Sequence, residues 1–262
     1  MTDTSAMRRL RNLAVAFDST TGGYIVKGTM AAGDSSVFTV AHRDPARAYI
    51  SALREALVER GITIGGAIGD TSGVADTLFT VWSPPLREIL PAFQKPSQNQ
   101  IGEVLLRTLG RERTSVGSAD SGRAVIERQL AEWRVEPDGY AVRDGSGLSR
   151  HNYLTPETII RVLDAMRRHP AFPVFYEALP IAGVDGTIAT RMRGTPAAGN
   201  LRAKTGTLDR ARSLSGYVTA ADGRMLIFSL LCNNYTSVTD VTRVQDSIGA
   251  RLAGLRLGGS GA

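Results

Sequence analysis

The sequence predicts an α/β (α+β) fold, in which a cluster of helices packs on an antiparallel sheet and a small subdomain precedes both. Apolar residues recur at helical spacing in several segments between residues 84 and 169, and again near the C-terminus. Two apolar runs flank Asp222-Gly223, a pair that is typical of a tight β-hairpin turn. Short strand-like runs, separated by turns that contain Gly and Ser, occupy the first 40 residues.

The N-terminal part, residues 1–80, is predicted to form one subdomain of strands and one helix. Asp44-Pro45 is a typical helix start, and Gly61 is a typical helix end. The predicted strands are 13–17, 24–26, 37–40 and 62–64.

Residues 81–257 are predicted to form the main domain, followed by a flexible tail over 258–262. The first two helices of this domain meet at Ser97 and Asn99, and Gly110 is the expected end of the second helix. The remaining helices are predicted over 121–133, 155–169 and 241–255, and the hairpin strands over 214–218 and 225–231.

The composition is that of a globular protein, with 42% hydrophobic and 21% charged residues among 262. The net charge of +6 comes from scattered arginines, so nucleic-acid binding is not expected. No apolar run reaches the length of a membrane span, and the N-terminus lacks the apolar core of a secretory signal. The single Cys232 lies in a predicted strand, and the three histidines share no metal-ligand spacing. We therefore expect no disulfide within the chain, no metal and no cofactor.

The run Lys204-Thr205-Gly206-Thr207 contains the most distinctive chemistry of the sequence. A cation, two hydroxyls and a residue without a side chain follow a short apolar run, which suits the binding of an anionic substrate terminus. Only three of the 31 basic residues are lysines, so a compact ammonium at this position stands out. The alternative is an ordinary strand that ends in a turn.

A second signal, Ser97-Gln98-Asn99, precedes Lys204 by 107 positions. Ser-x-Asn followed by Lys-Thr-Gly resembles the penicillin-interacting serine acyl-transferases. Longer strings over 95–110, 144–152, 180–186 and 203–207 resemble, in order and spacing, the D-alanyl-D-alanine carboxypeptidase/endopeptidase family of low-molecular-mass penicillin-binding proteins, peptidase family S13. The resemblance covers roughly residues 13 to 255.

This resemblance implies a β-lactamase/transpeptidase-like fold, with residues 81–257 as the penicillin-binding domain and residues 1–80 as the remnant of an inserted subdomain. It implies a peptidoglycan stem peptide ending in D-Ala-D-Ala as the partner, and β-lactams as ligands if a nucleophile is supplied. It also implies a periplasmic or other extracytoplasmic location.

The resemblance assigns a role to each residue of the two motifs. Ser97 would relay a proton to the leaving amine, with Lys204 holding its hydroxyl, and Asn99 would bind the substrate amide carbonyl. Thr205 and Thr207 would bind the terminal carboxylate beside Gly206, and the Thr207 backbone N–H would supply half of an oxyanion hole. The structural alternatives are a helix N-cap for Ser97 and a cap or turn for Asn99.

The family's nucleophile lies in an upstream Ser-x-x-Lys motif, which this sequence lacks. The residues three positions before the lysines are Tyr24, Ala92 and Leu201. The chain is therefore expected to correspond to the C-terminal portion of such an enzyme, without its nucleophile. A non-catalytic module that binds peptidoglycan peptides is the alternative function. The loop over 144–152, with Ser149 and Asn152, is expected to form the rim of the cleft or a purely structural turn.

Overall fold

The computed structural model describes residues 12–38, 40–66 and 79–256. The chain divides into two compact units, Met1–Thr80 and Val81–Ala262. Among the described residues, no helix combines the length and the apolar character needed to cross a bilayer.

The described residues of the first unit form a β-hairpin and one helix. Strand β1 (Asn12–Phe17) pairs antiparallel with β2 (Tyr24–Thr29), and helix α1 spans Pro45–Glu59. The Asp18 carboxylate closes the hairpin turn by accepting hydrogen bonds from the N–H of Thr20 and the hydroxyl of Thr21. Asp44 caps α1, as its sequence position predicts, by accepting from the N–H of Arg47.

Two of the expected N-terminal strands are wrong. Residues 37, 38 and 40, and residues 62–64, are not in strands. The Val37 side chain is 93% exposed, so it gains no packing from an extended conformation. A short apolar run becomes a stable strand only when another edge pairs with its backbone.

Three helices of the second unit begin at side-chain caps that the sequence supplies. Ser118 forms a capping box with Ser121, Thr155 accepts from the N–H of Thr158, and Ser237 accepts from the N–H of Asp240. The helices are α2 (Leu86–Gln94), α3 (Asn99–Thr114), α4 (Ala119–Glu132), α5 (Pro156–Arg167), α6 (Phe172–Ala178) and α7 (Val238–Gly254).

The expectation that Gly110 ends its helix is wrong. Helix α3 continues to Thr114 and ends at Ser115, whose φ of 63° is left-handed. A Cβ on Gly110 would lie 2.3 Å from the Ser121 hydroxyl oxygen and 2.8 Å from the Gly122 nitrogen. The glycine therefore lets α3 and α4 approach each other closely, which sequence periodicity does not reveal.

The larger sheet of the second unit has three strands, β5 (Arg202–Leu208), β6 (Ala211–Thr219) and β7 (Met225–Asn233). They lie in the order β5-β6-β7, with all neighbours antiparallel. The Asp222-Gly223 hairpin joins β6 to β7 as expected, with Thr219 opposite Met225 and a φ of 84° at Gly223. Two-residue strands β3 (Tyr140–Ala141) and β4 (Tyr153–Leu154) pair at the two ends of the segment between them.

The sheet is covered on both faces, because successive side chains of a strand point in opposite directions. Leu214 and Val218 of β6 are fully buried against Leu201 and Ala253 on the α7 side. Tyr217 points the other way, into a cluster with Leu163 of α5, and its hydroxyl donates to the Leu163 carbonyl at 2.7 Å. These two cores hold the sheet between α5 and α7.

Leu214→Ala tests the contribution of this core. We expect the free energy of unfolding to fall by about 2–5 kcal/mol, because a fully buried leucine leaves a cavity. Val244→Ala, on the exposed side of α7, is the control and should change it by less than about 0.5 kcal/mol. Urea unfolding followed by circular dichroism measures both, and equal losses in the two variants would contradict the assignment.

Candidate active site

A cleft of about 680 Å³ brings together the six candidate site residues of the two sequence motifs. Ser97 and Asn99 come from the junction of α2 and α3, whereas Lys204 to Thr207 come from β5. The segment between β3 and β4 forms another wall of the cleft, which includes Asp144 and Asn152. Motifs that are 107 positions apart in sequence thus share one cavity.

The ammonium of Lys204 joins the two motifs directly. It donates to the Ser97 hydroxyl oxygen at 2.6 Å and to the carbonyl oxygen of Thr205 at 2.7 Å. Lys204 lies opposite Ser215 in the β5–β6 ladder, which fixes its backbone. The pair of acceptors holds the half-buried side chain in one place.

Burial lowers the pKa of Lys204 below the ordinary lysine value. Removal from water disfavours the charged form of the side chain, the ammonium. A lysine of this kind loses its proton more readily than a solvated one. It can therefore hold a serine hydroxyl and also exchange a proton with it.

Ser97 is not the N-cap of α3. Gln98 occupies that position and makes no cap hydrogen bond with its side chain. Ser97 itself has a left-handed backbone, with a φ of 62°, which is uncommon outside glycine. Its hydroxyl instead accepts from Lys204. A non-glycine residue held in this conformation carries strain of about 1–3 kcal/mol, which is typical of functional sites.

Asn99 is the first residue of α3, and its exposed side chain lines the cleft. It is therefore a helix residue and not the cap, which is Gln98. From this position its amide can meet a ligand that enters the cavity.

The exposed end of β5 presents hydroxyls and a glycine to the cleft. The Thr205 hydroxyl donates to the Thr187 hydroxyl oxygen at 2.8 Å, and Thr207 is exposed. A Cβ on Gly206 would lie 2.4 Å from the hydroxyl oxygen of Ser213 on β6. Glycine at this position therefore leaves room for a serine hydroxyl beside the strand.

Asp144 organises the rim loop, which follows β3. Its carboxylate accepts from the N–H of Gly147 at 2.8 Å, the N–H of Ser149 at 2.7 Å and the side-chain amide of Asn152 at 2.8 Å. Burial alone would raise the pKa of Asp144, but the hydrogen bonds from Asn152, Ser149 and Gly147 outweigh it and lower the pKa. Asp144 thus maintains the loop in its ionised form.

Glu103 of α3 attaches the same loop to the helical cluster. One carboxylate oxygen accepts from the N–H groups of Gly145 and Ser146, both at 3.1 Å. Burial opposes ionisation of Glu103, but hydrogen bonds from Ser146 and Arg107 lower its pKa overall. The loop can approach α3 because two glycines meet there: a Cβ on Gly102 would lie 2.4 Å from the Gly145 carbonyl oxygen.

Sequence reasoning assigned no role to Thr187, Ser213 or Glu103. Thr187 and Ser213 are ordinary polar residues that only the packing of β5 brings to the cleft. The helical position of Glu103, one turn after Asn99, was the available signal that it faces the same side of α3.

A second cavity, of about 730 Å³, lies among α3, α4 and α5. Aliphatic side chains such as Leu109, Ile126 and Val162 provide much of its lining. It contains none of the motif residues, which all lie outside it.

Ser-x-Asn and Lys-Thr-Gly, which meet across this cleft, are two of the three motifs of the penicillin-interacting serine acyl-transferases. The chain belongs to the D-Ala-D-Ala carboxypeptidase 3 (S13) family, whose model matches residues 3–255. This confirms the family that the sequence motifs indicate.

Curated relatives match this chain over part of their own length. A D-alanyl-D-alanine carboxypeptidase of an Actinomadura species is 37% identical over 221 residues, which cover 80% of this chain and 40% of that protein. The D-alanyl-D-alanine carboxypeptidase DacB of Haemophilus influenzae is 34% identical over 158 residues, with coverage of 59% and 33%. The chain thus spans less than half the length of these relatives.

Solved structures confirm the transpeptidase-like fold. Penicillin binding protein 4 from Haemophilus influenzae, crystallised in complex with a β-lactam, superposes with a TM-score of 0.76 at 26% identity, covering 94% of this chain and 60% of that one. A class A β-lactamase from Bacteroides cellulosilyticus has a TM-score of 0.50 at 18% identity, covers 64% of this chain and 62% of that one, and shows the fold alone.

Ser97→Ala tests the contact between the motifs. The Ser97 hydroxyl accepts from the ammonium and stabilises its charged form, so we expect its removal to lower the pKa of Lys204 further. Titration of ¹³C-labelled lysine side chains by NMR measures this, with the signals assigned by substitution. Ser149→Ala on the rim loop is the control and should leave the Lys204 midpoint unchanged. An unchanged midpoint in Ser97→Ala would show that the hydrogen bond does not form.

Proposed function

We propose that this chain forms the substrate-recognition part of a serine-type D-Ala-D-Ala carboxypeptidase/endopeptidase that acts on peptidoglycan stem peptides. The observation that carries the proposal is the 2.6 Å contact between the Lys204 ammonium and the Ser97 hydroxyl, beside an edge rich in hydroxyl groups. Membership of the family supports the reaction class.

Recognition of the peptide C-terminus falls to β5 in this proposal. The carboxylate of the terminal D-Ala binds the hydroxyls of Thr205 and Thr207, in the positive potential of Lys204. Gly206 keeps this stretch of backbone open, and the N–H of Thr207 polarises the scissile carbonyl. The Asn99 amide orients the preceding peptide group from the opposite side of the cleft.

The reaction is acyl transfer through a serine ester. The nucleophilic hydroxyl attacks the carbonyl carbon of the penultimate D-Ala, and the C–N bond to the terminal D-Ala breaks. Ser97 passes a proton to the leaving amine and is resupplied through Lys204 with the proton that the attacking hydroxyl loses. Water then cleaves the ester and regenerates the hydroxyl. The Ser97–Lys204 pair provides the acid step of this sequence.

The nucleophile of this reaction is not identifiable in the sequence as given. No lysine has a serine three positions before it. In this proposal the acylating serine belongs to a Ser-x-x-Lys segment outside the 262 residues, and β-lactams acylate only the combined site. The absence of a Ser-x-x-Lys motif from the sequence as given also favours the second candidate function, a non-catalytic module that binds peptidoglycan peptides.

The proposal extends to the rest of the chain. Residues 1–80 are the remnant of an inserted subdomain, and residues 81–257 are the penicillin-binding domain. The location is periplasmic or otherwise extracytoplasmic, because peptidoglycan lies outside the cytoplasmic membrane.

Peptide binding tests the recognition role. Titration calorimetry should show saturable binding of a peptide ending in D-Ala-D-Ala, and much weaker binding of the same peptide with a C-terminal amide. Thr205→Val should weaken binding about tenfold or more, because a hydrogen bond to a charged group is lost. Thr239→Val, on exposed α7, is the matched control. Equal affinity for the acid and the amide would refute carboxylate recognition.

A labelled penicillin tests the assignment of the nucleophile. We expect no stoichiometric acylation of this chain, because loss of the serine in a related mechanism costs about a millionfold in rate. Mass spectrometry of the intact protein measures the adduct. A single covalent adduct on a serine of the chain would overturn this prediction.

A further inference from the structure

Lys95 lies two residues before Ser97 and makes an ion pair that the proposed reaction does not use. Its ammonium is 2.7 Å from a carboxylate oxygen of Asp185 and donates to the Leu179 carbonyl at 3.1 Å. The side chains are only 24% and 35% exposed, so this is a partly buried pair and not a solvated surface contact. It links the α2–α3 junction to the segment that precedes β5.

The same segment is held to Lys95 by its backbone. The N–H of Thr187 donates to the Lys95 carbonyl at 3.0 Å, and the second carboxylate oxygen of Asp185 accepts from the N–H of Ile181 at 2.9 Å. Gly186 lies between the two contacts with a φ of 61°, and a Cβ there would be 2.8 Å from the Lys95 carbonyl oxygen. The turn thus approaches the helix junction as closely as a glycine allows.

The other side of this segment is attached to β5. The N–H of Ala203 donates to the Pro180 carbonyl at 3.0 Å, and Ile181 forms a β-bridge with Arg202. The hydroxyl of Thr205 reaches Thr187 at 2.8 Å. One short segment therefore contacts both halves of the site, and Lys95 and Asp185 are its charged link to the half that contains Ser97.

We propose that Lys95 and Asp185 are positioning residues, whose ion pair sets the separation between Ser97 on the helix junction and Lys204 on β5. The hydrogen bond between Ser97 and Lys204 depends on this separation to within a few tenths of an ångström. The pair contacts neither reacting atoms nor substrate in the proposed function, and it acts through the segment that joins the two walls.

The chemistry of the pair suits this role. The compact lysine ammonium donates to a carbonyl and a carboxylate at once, while the remaining carboxylate oxygen binds a backbone N–H. A partly buried pair with its other polar contacts satisfied resists opening, because removal of one partner leaves an uncompensated charge. Thr187 then holds the Thr205 hydroxyl in position on the cleft wall.

The titration of Lys204 reports this positioning independently of any reaction. Its pKa is lowered by burial, so a wider gap between the walls admits water and raises the pKa towards the ordinary value. Asp144 is the charged group on the opposite wall of the cleft, and it remains in every variant below. Displacement of the cleft walls and loss of the negative charge of Asp185 therefore have separable effects on the pKa of Lys204.

Asp185→Asn is the deciding variant. If the pair acts only through its charge, removal of the negative charge of Asp185 lowers the pH midpoint of the Lys204 titration. If the pair positions the walls, the midpoint rises by about 0.5 pH unit or more, because burial is the cause that lowers the Lys204 pKa and its relief outweighs the loss of the Ser97 contact. The asparagine oxygen can still accept from Ile181, which preserves the local turn. Asp185→Glu changes no charge and should also raise the midpoint, and it decides the matter should Asp185→Asn fail to fold.

NMR titration of ¹³C-labelled lysines in the full chain gives the readout, and the unfolding transition of each variant checks that it is folded. Glu157→Gln, which breaks the solvent-exposed pair with Arg161 on α5, is the control and should leave the midpoint unchanged. A rise in both Asp185 variants supports the proposal. A fall in Asp185→Asn, or no change in either variant, overturns it.

A peptide-binding measurement separates this inference from the proposed function. Only the expected effect on peptide binding rests on the proposed function. If the wild-type chain binds the D-Ala-D-Ala peptide, Asp185→Asn should weaken binding several-fold. If the wild type does not bind, the proposed recognition role fails, but the Lys204 titrations still decide whether the pair positions the site.

Discussion

The site depends on one desolvated cation, the ammonium of Lys204, which is held between a strand and a helix junction. It is partly removed from water and satisfied by two oxygens, one from Ser97 and one from its own strand. Both the strand and the helix junction contribute to holding the ammonium in place. The ladder with β6 fixes the backbone of β5, and the strained left-handed conformation of Ser97 accompanies the hydroxyl contact across the cleft. A small displacement of either wall would expose the cation or break the contact.

Close backbone contacts make this precision possible. Gly102 meets Gly145 where the rim loop crosses α3, Gly186 meets the carbonyl of Lys95, and Gly206 leaves room for Ser213. Carboxylates then fasten these contacts: Asp144 and Glu103 bind backbone N–H groups, and both remain ionised because those hydrogen bonds outweigh burial. The acidic residues around the cleft are therefore structural. The cation and the hydroxyls of β5 are left to meet a ligand, which suits a substrate that ends in a carboxylate.

Family membership supports the reaction class, whereas the geometry of the cleft concerns substrate binding and proton transfer. In the proposed function the described residues supply a recognition edge and a proton-transfer pair, while the Ser-x-x-Lys motif of the acyl-transferases is absent from the sequence. Binding and acylation can therefore be measured separately in this chain. The Lys95–Asp185 pair can be studied separately from the reaction too, because it affects the position of Lys204 without contributing a reacting group. The fold alone does not identify the reaction, because related folds perform different reactions.

The sequence by itself determined the fold class, the family and the two motifs, because helix caps, the Asp-Gly turn and each short motif are local signals. Tertiary structure decided what local signals cannot contain. Gly110 looks like a helix stop until α4 packs against it, Ser97 looks like an N-cap until Lys204 reaches its hydroxyl, and the run at 37–40 looks like a strand although no neighbour pairs with the described residues. Thr187 and Asp185 gain meaning only from contacts with residues distant in sequence. Long-range packing sets these contacts, and one sequence does not record it.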